Sequence, residues 1–244
     1  MADRVHYRVE EGIAEVRLDR PDKHNALDLA MFQAIADAQR RARREPGLRA
    51  VVLSGAGVDF CTGLDVKSVM NDRRAALRLL WKWLPWRANL AQRAGIGWRE
   101  LRVPVVAALH GRCWGGGLQI ALGADFRIAA ADASLSIMES KWGLIPDMGG
   151  TLALRELLGR DQSMLLAMTA EEISGERALE LGLVTALSAD PLTAAEDLAR
   201  QLAGRPPAAV QGVKRLYRRS WVGSAGAALA RESAYQVKIL ARRR

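Results

Sequence analysis

The sequence predicts an α/β protein, because segments with the pattern of strands alternate with helical segments over roughly the first 140 residues. Two short apolar runs, residues 50–54 and Val105–Leu109, are typical of strands covered on both faces of a sheet. From Gly150 onward helical segments follow one another, interrupted only by a strand-like segment at 182–187. A length of 244 residues suits one domain, or one domain with a helical extension.

The first elements are a hairpin and a long helix. Val5–Glu10 and Ile13–Leu18 both alternate apolar and polar side chains and are separated by two residues, which predicts a β-hairpin. After a polar loop, Asp28 is placed to cap a helix that extends to about Arg44, where a Pro-Gly pair ends it. Residues 50–54 then form a buried strand that leads into a glycine-rich loop.

Two glycine turns are the central feature of the chain. The apolar strand Val105–Leu109 is followed by glycines 115–117 and then by an apolar helix pattern, and residues 58–67 repeat this arrangement around Gly63. Free N–H groups at a helix N-terminus favour negative charge, and an oxyanion needs two converging donors. The alternative interpretation is that the glycines only allow strand and helix to pack closely.

The remaining segments complete an α/β pattern with a helical second part. Residues 71–97 predict a helical segment broken near Pro85, with four of the seven tryptophans in or beside it. These tryptophans line either an apolar substrate pocket or a core or subunit contact. Strands are predicted at 125–130 and 133–137, and helices at 152–158, 161–168, 174–181, 193–203, 206–217 and 225–240.

Composition limits the class of partner without selecting one. The formal net charge of +9 suits an anionic partner such as phosphate, nucleic acid or a membrane surface, although the basic runs at 40–44 and 242–244 also fit a solvated helix face and a chain terminus. The chain begins without a signal-peptide pattern, has no apolar run long enough to span a membrane, and carries two cysteines without metal-ligand spacing. We therefore expect a cytoplasmic protein with no membrane partner and no metal site.

Two carboxylates stand out in the loop segment 138–151. Glu139 directly follows a predicted strand, and Asp147 lies in a Pro/Gly-rich loop before a helix. Two carboxylates beside glycine turns can serve as general base and general acid. The alternative interpretations are an ion-paired surface carboxylate for Glu139 and a helix N-cap for Asp147.

Taken together, several motifs in fixed order resemble the crotonase superfamily, also called the enoyl-CoA hydratase/isomerase family. The resemblance implies a spiral of ββα units over residues 1–190, which carries the CoA and catalytic site. It also implies a helical region at 191–244 that mediates formation of a homotrimer or a dimer of trimers. The motifs span almost the whole chain and lie at residues 20–27, 55–65, 111–119, 124–129, 142–147 and 178–185.

The resemblance also implies the substrate and the positions that contact it. The substrate is an acyl-CoA thioester, so that CoA enters as part of the substrate and no separate cofactor is expected. The two oxyanion donors of the family fall on the backbone N–H groups of Thr62 and Gly116. The CoA-binding positions fall on Lys23, His24, Ala26, Gly63, Leu64, Asp65 and Lys67, with Lys214 approaching the nucleotide phosphates from the C-terminal helices.

One position departs from the pattern of the family hydratases, which use two glutamates. The second matches Glu139, but the first falls on Gln119, whose amide can orient a water or substrate but cannot exchange a proton at neutral pH. The resemblance therefore favours isomerisation of a double bond, with Glu139 as principal base and Asp147 as a second acid or base. Four alternatives remain. Asp147 also matches the aspartate with which the dienoyl-CoA isomerases of the family assist the glutamate, and hydration by Glu139 with Asp147 is the second alternative. The third is a dehalogenase with Asp147 as nucleophile, which the presence of Glu139 disfavours. The fourth is a non-catalytic or RNA-contacting protein, which only the basic charge supports.

Overall fold

The computed structural model describes residues 4–70 and 73–241, apart from the side chains of Lys67, Met70 and residues 73–76. Two sheets, eleven α-helices and two short 3-10 helices, Pro21–Lys23 and Met138–Trp142, make up this part of the chain, which confirms the predicted α/β class. Within the same ranges no helix combines the length and the apolar composition that crossing a membrane requires.

The larger sheet has six strands and forms the centre of the fold. Its first two strands, β1 (Val5–Glu10) and β2 (Ile13–Leu18), form the predicted antiparallel hairpin. The other strands are β3 (Ala50–Gly55), β4 (Val105–Leu109), β6 (Phe126–Ala129) and β9 (Ala186–Leu187). They extend the sheet in parallel, in the order β1-β2-β3-β4-β6-β9, and β3 and β4 are buried at every residue, as their apolar sequences predict.

A second sheet of three short strands lies beside the functional loops. It consists of β5 (Arg112–Trp114), β7 (Ser134–Ser136) and β8 (Ile173–Ser174), in the order β5-β7-β8. The sequence predicts only a turn where β5 is found, because a strand of three residues has no periodicity to detect. An isolated backbone β-bridge between Cys61 and Cys113, two buried free cysteines, joins β5 to the loop that follows β3.

The helices follow the predicted segments closely. The first begins at its predicted cap, where Asp28 Oδ1 accepts a hydrogen bond of 2.7 Å from the N–H of Met31. Residues 81–89 separate two helices within the predicted segment around Pro85. The helices are α1 (Leu29–Arg44), α2 (Val66–Met70), α3 (Arg73–Leu80), α4 (Leu90–Ile96), α5 (Gly116–Ala121), α6 (Gly150–Leu157), α7 (Arg160–Thr169), α8 (Gly175–Glu180), α9 (Pro191–Ala203), α10 (Pro207–Ser220) and α11 (Ala225–Leu240).

The two faces of the large sheet are covered by different helices. On one face the main core includes Phe32 and Ile35 of α1. On the other face Ala195 and Ala199 of α9 pack against side chains of β3, β4 and β6. Helix α9 therefore packs on the sheet, although the sequence places it in the C-terminal region, whereas α10 and α11 form a hairpin and α11 has no buried residue.

Candidate active site

One buried asparagine holds together the two loops that carry most of the predicted site. Asn25 is fully buried with a left-handed φ of 54°, and its Nδ2 donates to the carbonyl oxygens of Ala56 and Asp59 at 2.8 and 2.9 Å. Its Oδ1 accepts the N–H of Arg20 at 2.9 Å. Asn25 was not among the predicted site residues, although asparagine is one of the few residues that adopt a positive φ.

The loop after β3 leaves a free N–H at Leu64 rather than at Thr62. Leu27 and Leu64 form an isolated parallel β-bridge. In it the N–H of Leu27 donates to Gly63 O at 2.8 Å and the N–H of Asp65 donates to Leu27 O at 3.1 Å. The bridge therefore uses the carbonyl group before Leu64 and the N–H group after it, but not the N–H of Leu64 itself. In the described part of the chain the Leu64 N–H has no acceptor. The prediction for Thr62 was wrong, because its N–H donates to the carbonyl oxygen of His24 at 3.1 Å.

The second glycine turn supplies another free N–H beside the first. Gly115 has a φ of 49° and precedes α5, and the N–H of Gly116, the first helical residue, finds no acceptor among the described residues. A β-carbon added at Gly63, where φ is 88°, would lie 2.9 Å from Trp114 O and 3.3 Å from Gly116 N. The turns that carry Leu64 and Gly116 are therefore packed against each other, as two donors to one oxygen require.

Gln119 and Glu139 are in direct contact. The buried Gln119 accepts the N–H groups of Met148 and Gly150 on its Oε1, at 2.9 and 3.1 Å, which defines the orientation of the amide. Its Nε2 then donates to Glu139 Oε1 at 2.5 Å. Glu139 Oε2 is buried and has no hydrogen-bond partner within the described ranges. The carboxyl group is thus fixed through one oxygen and open at the other.

The surroundings of Glu139 raise the pKa of its carboxyl group, which makes it a stronger base than a glutamate in water. Burial raises the pKa of the Glu139 carboxyl above its usual value, and the charge of Asp147 acts in the same direction, while its own backbone N–H and the Gln119 amide oppose them. A β-carbon at Gly115 would lie 3.5 Å from Glu139 Oε1. The carboxyl group therefore lies against the glycine turn that provides the free N–H of Gly116.

Asp147 lies in the loop that Gln119 anchors, and its charge acts on Glu139. Burial raises the pKa of Asp147, whereas its own backbone N–H and the nearby Lys82 lower it. The interpretation of Asp147 as a helix cap is contradicted, because α6 begins after Gly149 and has no side-chain cap. The structure thus brings Glu139, Asp147, Gln119 and Gly116 together, and replaces Thr62 by Leu64.

Most of the predicted CoA-binding positions lie on the two paired loops. Lys23 is exposed, and His24 Nδ1 lies 2.8 Å from Oδ2 of the buried Asp59. The carboxylate of Asp65 is engaged within the protein, by Arg20 at 2.9 Å and the Ser68 N–H at 3.1 Å. Partial burial acts to raise the pKa of Asp65, but these hydrogen bonds hold it below its usual range. Ala26, Gly63 and Leu64 contribute backbone to the same pair of loops, and the side chain of Lys67 lies outside the described residues.

Lys214 is not free to reach a phosphate. Its Nζ lies 2.6 Å from Asp125 Oδ2 and donates to Val103 O at 2.8 Å, in an almost fully buried position that lowers the pKa of the lysine. The predicted approach of Lys214 to the nucleotide phosphates is therefore wrong. The lysine instead attaches α10 to the segment that precedes β4.

The fold and these loops define an α/β protein in which a buried carboxyl group lies beside two turns with free backbone N–H groups. The sequence model of the enoyl-CoA hydratase/isomerase family matches residues 8–242 of the chain. The chain therefore belongs to this family, which is part of the crotonase superfamily, and it is an enzyme of that family.

Relatives and solved structures agree with this assignment. Carnitinyl-CoA dehydratase of Salmonella paratyphi A is 33% identical over 224 residues, 89% of this chain and 81% of the relative. The crystal structure of enoyl-CoA hydratase from Mycobacterium tuberculosis H37Rv has a TM-score of 0.85 and 30% identity, covering 97% of this chain and 90% of that one. A Thermobifida fusca YX protein solved in complex with CoA has a TM-score of 0.84 and 26% identity, covering 99% and 94%.

Proposed function

We propose that this protein isomerises the double bond of an enoyl-CoA thioester, with Glu139 moving the proton. The observation that supports this most directly is the state of the Glu139 carboxyl group, whose Oε1 is held by Gln119 while Oε2 is buried and has no partner within the described ranges. A base fixed in this way is ready to accept a proton from a bound substrate and to return it to a neighbouring carbon.

The free N–H groups of Leu64 and Gly116 provide the second part of the mechanism. Both donate to the thioester carbonyl oxygen, so that charge developing there is stabilised by about 3 kcal/mol per donor. The C2–H bond of a 3-enoyl thioester breaks, the proton goes to Glu139 Oε2, and the electron pair moves into a dienolate whose oxygen lies between the two donors. The proton then returns from Glu139 to C4, which leaves the double bond between C2 and C3 and restores the thioester carbonyl.

Gln119 argues for isomerisation over hydration. Addition of water requires one group to activate the water and another to deliver a proton, and a neutral amide does not exchange protons near pH 7. The Gln119 amide is instead occupied by Glu139 and by the N–H groups of Met148 and Gly150. A single carboxyl group in contact with Gln119 suffices for isomerisation, because the same proton is removed and returned.

A second candidate function is hydration or dehydration by Glu139 together with Asp147. The charge of Asp147 contributes to the raised pKa of Glu139, and burial raises the pKa of Asp147 as a general acid requires. The Salmonella paratyphi A relative is named a carnitinyl-CoA dehydratase. In this alternative Asp147 supplies the proton exchange that Gln119 cannot.

The CoA part of the substrate is proposed to bind along the two paired loops. The Thermobifida fusca YX structure of the same fold contains CoA, and the exposed Lys23 provides positive charge for phosphate groups beside the backbone of Ala26, Gly63 and Leu64. His24 lies at the same edge, held by Asp59. Asp65 orients Arg20 and the start of α2 in this proposal, rather than contacting CoA. No separate cofactor takes part.

Assembly into trimers is part of the proposal and rests on the C-terminal hairpin. Helices α10 and α11 expose several large apolar side chains, which a second copy of the chain would cover. These side chains are Val213, Tyr217, Leu229, Val237 and Leu240. In this proposal the boundary between the core and the C-terminal region lies at the start of α10 rather than at residue 190, because α9 packs on the sheet.

The test is turnover of 2-enoyl, 3-enoyl and 3,5-dienoyl-CoA thioesters in water labelled with heavy oxygen. We expect a 3-enoyl substrate to give a product of unchanged mass with a shifted double bond. Label in the product would support the hydration alternative and overturn the assignment of isomerisation. Absence of turnover on every substrate, with a folded protein, would count against both.

A further inference from the structure

A short segment between α3 and α4 exposes an unusual amount of aromatic surface. In residues 77–87, here called the tryptophan segment, Trp81, Trp83 and Trp86 are 70%, 84% and 80% exposed. Leu77 and Leu80 are also exposed beside them. Scattered apolar residues on a surface are ordinary, but a cluster of this kind marks an interaction surface.

Positive charge is interleaved with these aromatic residues. Arg78 and Arg87 are exposed and Lys82 is half-buried, whereas the sequence has no Asp or Glu from residue 73 to residue 99. No carboxylate among residues 4–70 and 73–241 forms an ion pair with Arg78 or Arg87. The surface is therefore both apolar and cationic.

We propose that the tryptophan segment docks on the surface of a bilayer containing anionic phospholipids. Tryptophan rings favour the level of the headgroups, where the apolar ring is buried and the indole N–H stays in a polar region. Arginine and lysine beside them are attracted to anionic headgroups, and the net charge of +9 acts in the same direction.

A bilayer fits this surface better than a two-fold contact with the same segment of a second copy of the chain does. A two-fold contact of the segment with itself would bring Arg78, Lys82 and Arg87 against the same three cations, which is unfavourable. An anionic bilayer instead supplies opposite charge and an apolar layer together. This inference revises the expectation of no membrane partner, which rested only on the absence of a spanning segment.

The docking surface lies beside the proposed active site. Helix α4, which follows the tryptophan segment, packs against the loop that carries Asp147, since a β-carbon at Gly95 would clash with Met148 O. The charge of Lys82 also acts on this loop, because it lowers the pKa of Asp147. Docking would therefore place this side of the site toward the lipid surface. For this reason the test leaves Lys82 unchanged and uses positions that have no part in the proposed chemistry.

The experiment is flotation of the purified protein with vesicles of phosphatidylcholine alone and of phosphatidylcholine with about one-third phosphatidylglycerol. We expect binding to the anionic vesicles only, decreasing with added salt. The double variant Trp83→Ala/Trp86→Ala and the double variant Arg78→Gln/Arg87→Gln should each weaken binding by about tenfold or more. The matched controls, Trp221→Ala and Arg160→Gln/Arg205→Gln, change exposed residues elsewhere and should bind as the unmodified protein does.

Specific outcomes would overturn the proposal. These are absence of binding to anionic vesicles at low salt, equal loss in the control variants, or unchanged binding in both segment variants. A change of oligomeric state in Trp83→Ala/Trp86→Ala, measured by light scattering, with vesicle binding unaffected would assign the segment to a subunit contact instead. Thermal unfolding of each variant establishes that it is folded.

Discussion

The side chain of Gln119 connects Glu139 to the loop that carries Asp147. Its Nε2 lies 2.5 Å from Glu139 Oε1, and its Oε1 lies 2.9 Å from the backbone nitrogen of Met148. One neutral side chain therefore determines both the position of the proposed base and the path of the loop with the second carboxyl group.

Gln119→Glu should raise the pKa of Glu139 further. One oxygen of the new carboxyl group can still accept the N–H groups of Met148 and Gly150, but the other would face Glu139 Oε1 without a hydrogen to donate. Two carboxyl groups in contact share one proton, which raises the apparent pKa of the pair. We expect the acid limb of the kcat/KM profile to move to higher pH, and an unchanged limb would contradict the contact.

Glu139→Gln should abolish turnover while leaving stability intact. Loss of a general base lowers kcat by about 10²–10⁴-fold. Burial raises the folded-state pKa of Glu139, so ionisation opposes folding, and the stability contributed by the protonated form is lost as pH rises through the raised pKa. The neutral glutamine should therefore be at least as stable as the natural protein at neutral pH, measured by denaturant unfolding. Glu171→Gln, at an exposed position, is the control.

Asp147→Asn should shift the pH dependence of the reaction in the opposite direction to Gln119→Glu. Removing the negative charge of Asp147 removes one cause of the raised pKa of Glu139, so the base ionises at lower pH. The acid limb of kcat/KM should move down while isomerase activity persists. Complete loss of activity at every pH would instead favour the hydration alternative, in which Asp147 exchanges a proton.

Lys214→Met should destabilise the fold without weakening CoA binding. The substitution leaves Asp125 Oδ2 and Val103 O without the lysine that contacts them. Breaking a buried pair on one side costs about 3 kcal/mol, less where the remaining carboxylate is partly exposed as Asp125 is. Denaturant unfolding measures the loss, and Lys238→Met on the exposed side of α11 should be neutral. A specific loss of CoA affinity would restore the role that the sequence predicted for Lys214.

Gly63→Ala should lower both stability and turnover. The φ of 88° is unfavourable for alanine, and the β-carbon would lie 2.9 Å from Trp114 O, in the turn beside the free N–H of Gly116. Gly47→Ala is a suitable control, since its φ of 71° is similar but no atom lies within 4 Å of the added carbon. We expect Gly47→Ala to cost about 1 kcal/mol with unchanged activity, and Gly63→Ala to cost more and to reduce kcat/KM by about tenfold or more.

The elements that could be predicted from the sequence are those with clear periodicity or end signals. The hairpin of β1 and β2, the cap of α1 at Asp28 and the buried strands β3 and β4 are found where the sequence placed them. Strands β5 and β8 have three and two residues and depend on contacts between distant segments, which no local pattern encodes.

The residues of the candidate site were identified better than their contacts. Glu139, Asp147, Gln119 and Gly116 come together as expected, but the sequence does not reveal which N–H groups the surrounding loops already use. That is why the free donor proved to be Leu64 rather than Thr62, whose N–H is bonded to His24. The burial of Lys214 was also hidden, since its partner Asp125 lies far away in the sequence.

The residues of the proposed site lie on loops of two different sheets. Leu64 belongs to a loop that follows a strand of the larger sheet, whereas Glu139 follows β7 of the smaller sheet. The backbone β-bridge between Cys61 and Cys113 connects these two parts of the fold, and the buried side chains around it are here called the sheet junction. The distance between a bound enolate and the Glu139 carboxyl group therefore depends on how the two sheets pack, and hence on the volume of the buried side chains at the sheet junction. Directed evolution toward a new acyl group should accordingly select substitutions of buried side chains at the sheet junction. There a change of one methyl group alters the distance between the enolate and its base without altering any group that touches substrate.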